Sequence, residues 1–516
     1  MGGGMNAADA NLKANQVMLS QLGYNVFTVP QNEQLIGTNG KLNPHATLGR
    51  TYEWNGEKYY MTADDWNKAA YKNALRQDYT ISIKGSTDRS SFYTSLGYLS
   101  DDGVIDNSSY ERVSARLKAD YQAKKWLKVG VNAQYVHSDT KSNPNLSSET
   151  DATNLMYFVS SIAPIYPIYV RTVDANGKPV IKTDANGHEM YDYGNPKYYG
   201  VNRPFISNGN PLGANRYNKV ESGFNQINGS VFADIKFAEW LKFNATSTII
   251  YDMTDFSDYQ NAYEGPKQGV NGELTKKNTA DLRTNNTQTL TFMKSFGKHS
   301  FDALLGHEYY KLTRKYLLGE AEGGFSPSIT ELNAFANKKN NGSYKLNYNV
   351  EGFFGRAQYN YDDKYFASAS YRRDASSRFA KENRWGNFWS IGGAWLINKE
   401  AWFEAPFVDE LKVKASLGQQ GNDNIGDWAY TDLYTLSKAS NTLMSPTFWR
   451  MGNKDITWET TTNLNLGVEF SLFKHRLSGS FDFYTKKVAD LLFWLSIPES
   501  QGSRGYYTNI GDMRRY

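Results

Sequence analysis

The histidines of this 516-residue chain are the first residues to consider for catalysis or metal binding. No two of them have the His-Glu-x-x-His spacing that places metal ligands on one helix face. The six are His45, His137, His188, His299, His307 and His475. No Gly-x-Ser-x-Gly turn presents a nucleophilic serine. The carboxylate pairs Asp101-Asp102 and Asp362-Asp363 fall in predicted turns, where solvated charge explains them. We therefore predict no catalytic residue and no enzyme.

Two Asp-Ala-Asn-Gly segments, Asp174–Gly177 and Asp184–Gly187, superficially resemble calcium-binding loops. Neither continues into the further acidic ligands and the terminal glutamate that such a loop needs. Asn-Gly is the strongest short signal for a hairpin turn, so two turns are predicted instead. The chain has no cysteine, which excludes disulfides, thiolate nucleophiles and cysteine-bound zinc. No metal and no cofactor are predicted.

Aromatic side chains in long irregular segments are the remaining candidates for binding. The two longest segments, at 139–223 and 419–457, contain Tyr198, Tyr199, Trp428, Tyr430 and Trp449. Loops often carry binding residues, and ring faces stack on ligands. We therefore expect these five rings to contact a ligand or a partner protein. The alternative is a loop that packs on itself and is held by its own rings.

The composition indicates a fine alternation of polar and apolar residues. Aromatic residues make up 15% of the chain, yet the mean hydropathy is −0.63. The formal net charge is +4 and no long Lys/Arg run occurs, so nucleic acid is not a predicted partner. No apolar run reaches the roughly 18 residues that indicate a membrane-spanning helix.

Polar and apolar residues alternate with a period of two in the predicted strands, which would position the candidate binding residues. From Val113 to Tyr121 the odd-numbered positions are apolar, and from Arg112 to Asp120 the even-numbered positions are polar. The run from Leu127 to Tyr135 repeats the pattern, with Val129 and Val131 on its apolar side. A period of two predicts paired strands with one apolar and one polar face.

Roughly fourteen such runs recur, many of them 11–14 residues long. Globular strands are mostly about 5–6 residues long, whereas about 9–11 tilted residues cross a bilayer. Tight turns alternate with long irregular segments, as periplasmic turns and extracellular loops do in outer-membrane barrels. The long segments are predicted at about 139–223, 253–282, 312–344, 374–386 and 419–457. The polar face must be wet, because an unpaired buried polar group costs about 1–3 kcal/mol. The sequence therefore predicts an all-β, antiparallel transmembrane β-barrel in a Gram-negative outer membrane.

Two tight turns each place a tryptophan at the start of the outgoing strand. These residues are Trp126, after Gln122–Lys125, and Trp240, after Ala238-Glu239. Transmembrane barrels have aromatic girdles at both interfaces, so both residues are predicted to lie in an interfacial belt. The alternative is a strand-end tryptophan that covers a soluble core.

The chain divides where the period of two begins. Residues 1–75 form a mixed segment with helical patterns at Ala7–Leu22 and Asp64–Leu75, and residues 76–516 are predicted to form the barrel. The first residues, Met1–Asn6, lack the basic and apolar regions of a signal peptide, which predicts either a processed form or a fragment of a longer protein.

Several segments carry a family resemblance. They are Ser91–Ile105, Tyr110–Leu117 (YERVSARL), Tyr361–Phe379, Phe388–Trp395 (FWSIGGAW), Leu411–Asn422 (LKVKASLGQQGN), Trp458-Glu459, Asp482–Leu492 and Asn509–Asp512. In this order, over roughly residues 75–516, they resemble the SusC/RagA family of TonB-linked outer-membrane transporters.

The resemblance implies an energised nutrient importer. The family's barrel has about 22 strands and an N-terminal plug, and it is driven through the TonB complex. A SusD-like lipoprotein covers the barrel from outside, and the cargo is an oligosaccharide or a peptide. The expected partners are therefore this lipoprotein, the TonB complex, the cargo and outer-membrane lipid.

This sequence departs from the family at both ends. Neither a plug nor a TonB box precedes the predicted barrel, and the predicted strands are fewer than the family's. We therefore expect an incomplete, C-terminally truncated barrel whose function belongs to the parent protein. Two other classes remain open, a passive porin- or adhesin-like barrel without energy coupling and a soluble all-β glycan-binding protein.

Overall fold

The computed structural model describes residues 26–33, 35, 41–142, 154–163, 165–185, 187–203, 209–263, 265–440 and 442–515. The strands within them are β1 (Phe27–Thr28), β2 (Thr47–Leu48), β3 (Arg50–Trp54), β4 (Glu57–Met61), β5 (Arg76–Ser86), β6 (Ser90–Asp102), β7 (Ser109–Lys124), β8 (Leu127–Ser142), β9 (Arg171–Val173), β10 (Pro179–Ile181), β11 (Lys219–Ala238), β12 (Leu241–Gln260), β13 (Glu273–Phe296), β14 (His299–Gly324), β15 (Phe335–Tyr361), β16 (Tyr365–Ser376), β17 (Trp385–Leu396), β18 (Val408–Asn422), β19 (Leu433–Lys438), β20 (Met444–Arg450), β21 (Glu459–Leu472), β22 (Leu477–Ala489), β23 (Leu492–Ser496), β24 (Gly505–Asn509) and β25 (Met513–Arg515).

The helices are short. They are α1 (Trp66–Ala70), α2 (Leu155–Ser161), α3 (Pro196–Tyr199) and α4 (Pro211–Tyr217), with 3-10 turns at Gln268–Val270, Leu332–Ala334, Ile397–Lys399 and Glu499–Gln501. Among the described residues, no helix is long and apolar enough to span a membrane.

Fifteen strands form one large sheet. Their order is β25-β22-β21-β18-β17-β16-β15-β14-β13-β12-β11-β8-β7-β6-β5, and each neighbouring pair is antiparallel. In the described part of the chain the edge strands β5 and β25 do not pair with each other, so the wall is open. The predicted all-β fold and incomplete barrel are confirmed.

The two faces of this wall follow the alternation of the sequence. Leu117 of β7 lies opposite Ala133 of β8, and Val131 lies opposite Val231 of β11. Apolar positions of successive strands therefore share one side, which we call the outer face. Arg116 lies on the other side, the inner face, opposite Gln134. A side chain's direction alternates at every residue of a strand, so register alone sorts the two faces.

The strands are longer than predicted. β13, β14 and β15 contain 24, 26 and 27 residues, far more than the roughly 9–11 that cross a bilayer. The segments 253–282 and 312–344, predicted as loops, are therefore largely strand, and that prediction was wrong. Above a bilayer both faces of a strand meet water, so the apolar half of the alternation is missing there.

Residues of the N-terminal segment form a compact unit with the connection between β8 and β11. β3 and β4 share a sheet with β9 and β10. Asp64 accepts two hydrogen bonds from Arg171, at 2.7 and 2.9 Å, and Trp66 Nε1 donates to the carbonyl of Tyr166 at 2.9 Å. We call this unit, described within 26–71 and 154–217, the loop domain. Its helix α1 lies within the predicted pattern Asp64–Leu75, and Ala7–Leu22 lies outside the described residues.

Candidate functional site

The inner face of the wall carries a network of ion pairs centred on Asp281. Arg314 donates to both carboxylate oxygens of Asp281 at 2.7 Å. Arg283 donates to the same carboxylate at 2.8 Å and also bonds Asp252. The Asp281 side chain is only 6% exposed, whereas those of Arg283 and Arg314 are 31% and 39% exposed. The network joins β12, β13 and β14 and still presents guanidinium groups to the interior.

A second network continues the polar inner face toward the loops. Arg372 donates to Asp374 at 2.8 Å and to Glu308 at 2.9 Å, and its guanidinium lies 5.1 Å from the centre of the Phe354 ring. A cavity of about 650 Å³ lined by Arg372, Asp374 and Trp458 lies against this network. A neighbouring inner-face cavity of about 1020 Å³ is also lined by polar side chains, including Asp302, Gln358, Lys414 and Asp482.

Above these networks, Asp423 links the connection after β18 to β15 and to the end of β16. Tyr348 Oη and Ser376 Oγ donate to its carboxylate at 2.7 and 2.6 Å. Arg378 donates to Asp427 at 3.1 Å and lies 4.2 Å from the centre of the Tyr348 ring. Behind these polar contacts is an apolar cluster of Phe379, Phe388, Ile425, Ala429, Ile456 and Trp458. The long connection after β18 is therefore held against the wall.

This arrangement leaves two predicted binding rings at the surface. Trp428 and Trp449 are 51% and 58% exposed. Arg450, which is only 6% exposed, packs beneath the surface here. It donates to the carbonyl of Asp427, the residue before Trp428, at 3.3 Å and lies 5.3 Å from the centre of the Trp449 ring. Tyr430 is half-buried and lies 6.0 Å from the Trp428 ring. We call Trp428, Tyr430, Trp449 and Arg450 the ring platform.

The other two predicted binding rings need a correction. Tyr198 and Tyr199 are 6% and 3% exposed and belong to the core of the loop domain. They contact Tyr59, with ring centres 5.9 and 5.8 Å apart, and Tyr199 also contacts Tyr52 at 5.6 Å. Burial raises the pKa of Tyr199 well above its ordinary value. Neither ring has a free face for a ligand in this structure, so the self-packed alternative describes both.

The predicted belt residues lie at the short-turn end of the wall. Trp126 and Trp240 are 52% and 42% exposed. Trp126 precedes Tyr135 by nine residues and Trp240 precedes Tyr251 by eleven, which matches the roughly 9–11 residues of one crossing. Ring contacts also follow this edge, through Phe296–Phe301, Phe301–Tyr359, Tyr361–Tyr365, Tyr365–Trp395, Trp395–Trp402 and Phe407–Phe473. Lipid contact by the two tryptophans stays a prediction.

The remaining sequence candidates have structural partners. Asp174 accepts backbone hydrogen bonds from Asn176 and Lys178 at 2.9 and 2.8 Å, which closes the turn between β9 and β10. His307 bonds Gln288 at 2.9 Å and Glu351 at 3.1 Å within the wall. In the residues that the structure describes, no group of three or more His, Asp or Glu side chains is placed to hold a metal ion.

Sequence reasoning missed the arginines and the aspartate that organise the platform. Arg378 and Asp423 lie in irregular connections and Arg450 ends the short strand β20, so no extended periodicity marks these positions as buried or paired. The one local signal is the pair Trp449-Arg450, because arginine often stacks on tryptophan.

Most of the chain matches a known protein family. The sequence model for "TonB dependent receptor-like, beta-barrel" matches residues 173–516. TonB-dependent receptor SusC of Bacteroides thetaiotaomicron is 28% identical over 476 residues, covering 88% of this chain and 45% of that protein. TonB-dependent receptor P3 of Formosa agariphila is 27% identical over 461 residues, covering 87% of this chain and 43% of that protein.

A solved structure agrees with these sequence matches. The RagAB peptide importer in its "open-open" state superimposes with a TM-score of 0.76 at 25% identity, over 98% of this chain and 54% of that one. The chain therefore spans about half the length of the relatives that it matches. The resemblance to the SusC/RagA family is confirmed. Its motifs, its open antiparallel wall and these matches show that the chain belongs to the TonB-dependent receptor-like β-barrel family, whose members are outer-membrane proteins of Gram-negative bacteria.

Proposed function

We propose that the protein carrying this chain imports an oligomeric nutrient, an oligosaccharide or a peptide, across the outer membrane. The likeness to SusC and to RagAB, a peptide importer, supports nutrient import. Energy from the TonB complex, delivered through a plug, is part of the proposal for the whole protein.

The ring platform is the observation that carries the proposal for this chain. Its tryptophans stand at the loop end of a wall whose inner face is lined by paired charges and amides. Ring faces stack on sugar rings and on peptide side chains, while guanidinium groups bond hydroxyl and carbonyl oxygens. An oligomer captured at Trp428 and Trp449 would next meet Arg372 and Asp374 on the inner face.

A SusD-like lipoprotein is the proposed lid. The hairpin β19–β20, whose second strand carries Trp449 and Arg450, exposes large apolar side chains, Tyr434, Leu436, Leu443 and Met444, each at least 58% exposed. Contiguous exposed apolar surface of this kind marks protein contact sites. The hairpin is therefore the proposed contact for the lid, together with loops of the 139–223 connection.

The platform is tested by replacing Trp428 and Trp449 with alanine together in the protein that carries this chain. Stacking contributes about 0.5–1.5 kcal/mol per ring pair, so the affinity for cargo should fall roughly five- to a hundredfold. The control is Trp402→Ala, a 64% exposed tryptophan at the short-turn end. Binding of labelled oligosaccharide and peptide libraries, and growth on each, are measured. Equal affinity in the double variant and the control would remove the platform from the proposal.

Deletion of residues 434–448 tests the lid separately. Affinity capture of the lipoprotein by the shortened receptor should fail, while the receptor still folds. Intact capture and intact growth after this deletion would favour a passive pore, because such a pore needs no lid.

A further inference from the structure

Four cations stand on the outer face of the wall between β14 and β16. Lys311 and Lys315 lie on β14, Lys345 on β15 and Arg373 on β16, and all four are exposed. Their register places them on the side of the apolar positions, because Lys315 lies opposite Ala280 and Arg373 lies opposite Phe353. We call these four residues the outer cation cluster.

The cluster contains a like-charge pair. Lys315 and Lys345 are directly opposite each other in the β14–β15 register. Side chains at such positions start about 4.5–5.5 Å apart at Cβ, and two like charges there destabilise the sheet. A pair of opposed lysines destabilises the folded wall unless its charge is neutralised. We therefore expect such a pair where an anion from outside the protein binds.

The three arginines of the two inner-face networks are paired with carboxylates, and the cations of the cluster are not. Arg283, Arg314 and Arg372 each contact carboxylates within 3 Å. Among the described residues, none of the four cluster cations forms an ion pair or a side-chain hydrogen bond with the protein. The carboxylate of Glu351 shares the outer face with them, and it is bonded to His307 at 3.1 Å. The charge of the cluster is thus available to a ligand outside the wall.

The height of the cluster indicates what that ligand is. Lys311 follows Tyr309 by two residues and Arg373 follows Tyr371 by two, just above the outer-face rings that end the apolar band. Lys315 lies four residues beyond Lys311, so the strand carries it roughly 13 Å further along, or about 9 Å higher at a tilt near 45°. The cations therefore form two levels, one at the membrane interface and one well above it.

We propose that the outer cation cluster binds a phosphorylated glycolipid of the outer leaflet. Its lower level, Lys311 and Arg373, meets a phosphate at the edge of the hydrocarbon. Its upper level, Lys315 and Lys345, meets a second anionic group further out on the saccharide head. A phospholipid has its single phosphate near the hydrocarbon and cannot occupy both levels. Arg373 is held for this contact by the Trp385 ring, whose centre lies 5.0 Å from the guanidinium.

The test uses the detergent-solubilised receptor that carries this chain, titrated with diphosphorylated lipid A in mixed micelles. The variant is Lys311→Gln, Lys315→Gln and Lys345→Gln together. Its matched control is Lys58→Gln, Lys178→Gln and Lys438→Gln, which removes the same charge from exposed positions outside the large sheet. Each lysine near an anionic lipid surface contributes about fivefold in affinity, so the cluster variant should bind on the order of a hundredfold more weakly. Native mass spectrometry of retained lipid and heat-modifiable migration are read out together.

Three comparison ligands separate the sources of phosphate. Dephosphorylated lipid A should not bind, and phosphatidylglycerol and inorganic phosphate should neither bind comparably nor compete. Unchanged binding in the cluster variant, or equal loss in the control, would overturn the proposal. Equal binding of phosphatidylglycerol or effective competition by inorganic phosphate would also overturn it.

The single change Lys315→Gln separates binding from folding. It relieves the like-charge pair, so the receptor should be at least as stable as before while its affinity for lipid A falls about fivefold. Binding and stability that fall together would contradict the proposal, since they would indicate a structural role alone.

Discussion

Replacing Val231 by arginine tests which face of the wall meets lipid. Val231 lies on the outer face of β11, opposite Val131 and Ser247, and is 56% exposed. The exposed ring of Phe237 lies near the short-turn end, and Tyr251 lies opposite Ile227 at the other side of the band. Ten residues separate Phe237 from Ile227, which is one crossing of a bilayer, and Val231 lies near its middle.

An arginine at the bilayer midplane of a barrel costs about 2–4 kcal/mol. The variant Val231→Arg should therefore lower the folding equilibrium constant in lipid roughly 30- to 700-fold, at about 1.4 kcal/mol per factor of ten. The matched control is Ser230→Arg, one residue away. Ser230 faces inward between Asn132 and Thr248, so the new arginine meets polar neighbours and water. Its cost should stay within about 0.5 kcal/mol, as for other surface substitutions.

The assay is denaturant titration of the receptor that carries this chain, in phospholipid vesicles, followed by tryptophan fluorescence and heat-modifiable migration. The difference between the two arginine variants is the quantity of interest, because it cancels the effects of size and strand propensity. A cost for Ser230→Arg that equals or exceeds that for Val231→Arg would refute the assignment of the faces.

Three further changes probe contacts that the structure defines. Asp281→Asn leaves two partly exposed guanidinium groups without their shared carboxylate. In the same denaturant titration it should lower the free energy of unfolding by about 2 kcal/mol, which is less than the full cost of breaking a buried ion pair. Tyr199→Ala empties a core position of the loop domain and should cost about 3–5 kcal/mol, seen as faster amide exchange across 155–217 while the wall stays protected. Hydrogen bonds from Lys182 and Tyr59 lower the pKa of Glu57 below its ordinary 4.5, so their stabilisation is present above that pH and is lost as the pH falls through the lowered pKa. The thermal midpoint of the loop domain should therefore decline below about pH 4.5, and Glu57→Gln should flatten this decline; an unchanged pH profile in that variant would contradict the assignment.

The alternation of side chains predicted the architecture because the direction of a strand residue is a local property. Each residue of β7 points opposite to its neighbours, so the sides of Arg116 and Leu117 are decided within the strand. The same reasoning found the tight turns and the tryptophans that follow them. The prediction failed where strands extend beyond the membrane, because both faces of a strand are polar there and the residue pattern no longer differs from that of a loop.

The ring platform was only partly predictable. All four rings were expected to be exposed in long loops; Trp428 and Trp449 are exposed, while Tyr198 and Tyr199 are buried. Binding by Trp428 and Trp449 stays a prediction. Composition cannot distinguish these cases. Burial depends on contacts with Tyr52 and Tyr59, more than a hundred residues earlier in the chain.

The sequence by itself determined that the chain is a two-faced antiparallel wall with tight turns at one end, because alternation and turn signals act over a few residues. Only the tertiary structure decided that residues near the start of the chain complete the loop domain, and that Arg450 lies between the Trp449 ring and the carbonyl of Asp427. It also decided that Lys315 and Lys345 lie opposite each other. These outcomes depend on register and on packing between distant segments, and neither is encoded in any short stretch of residues.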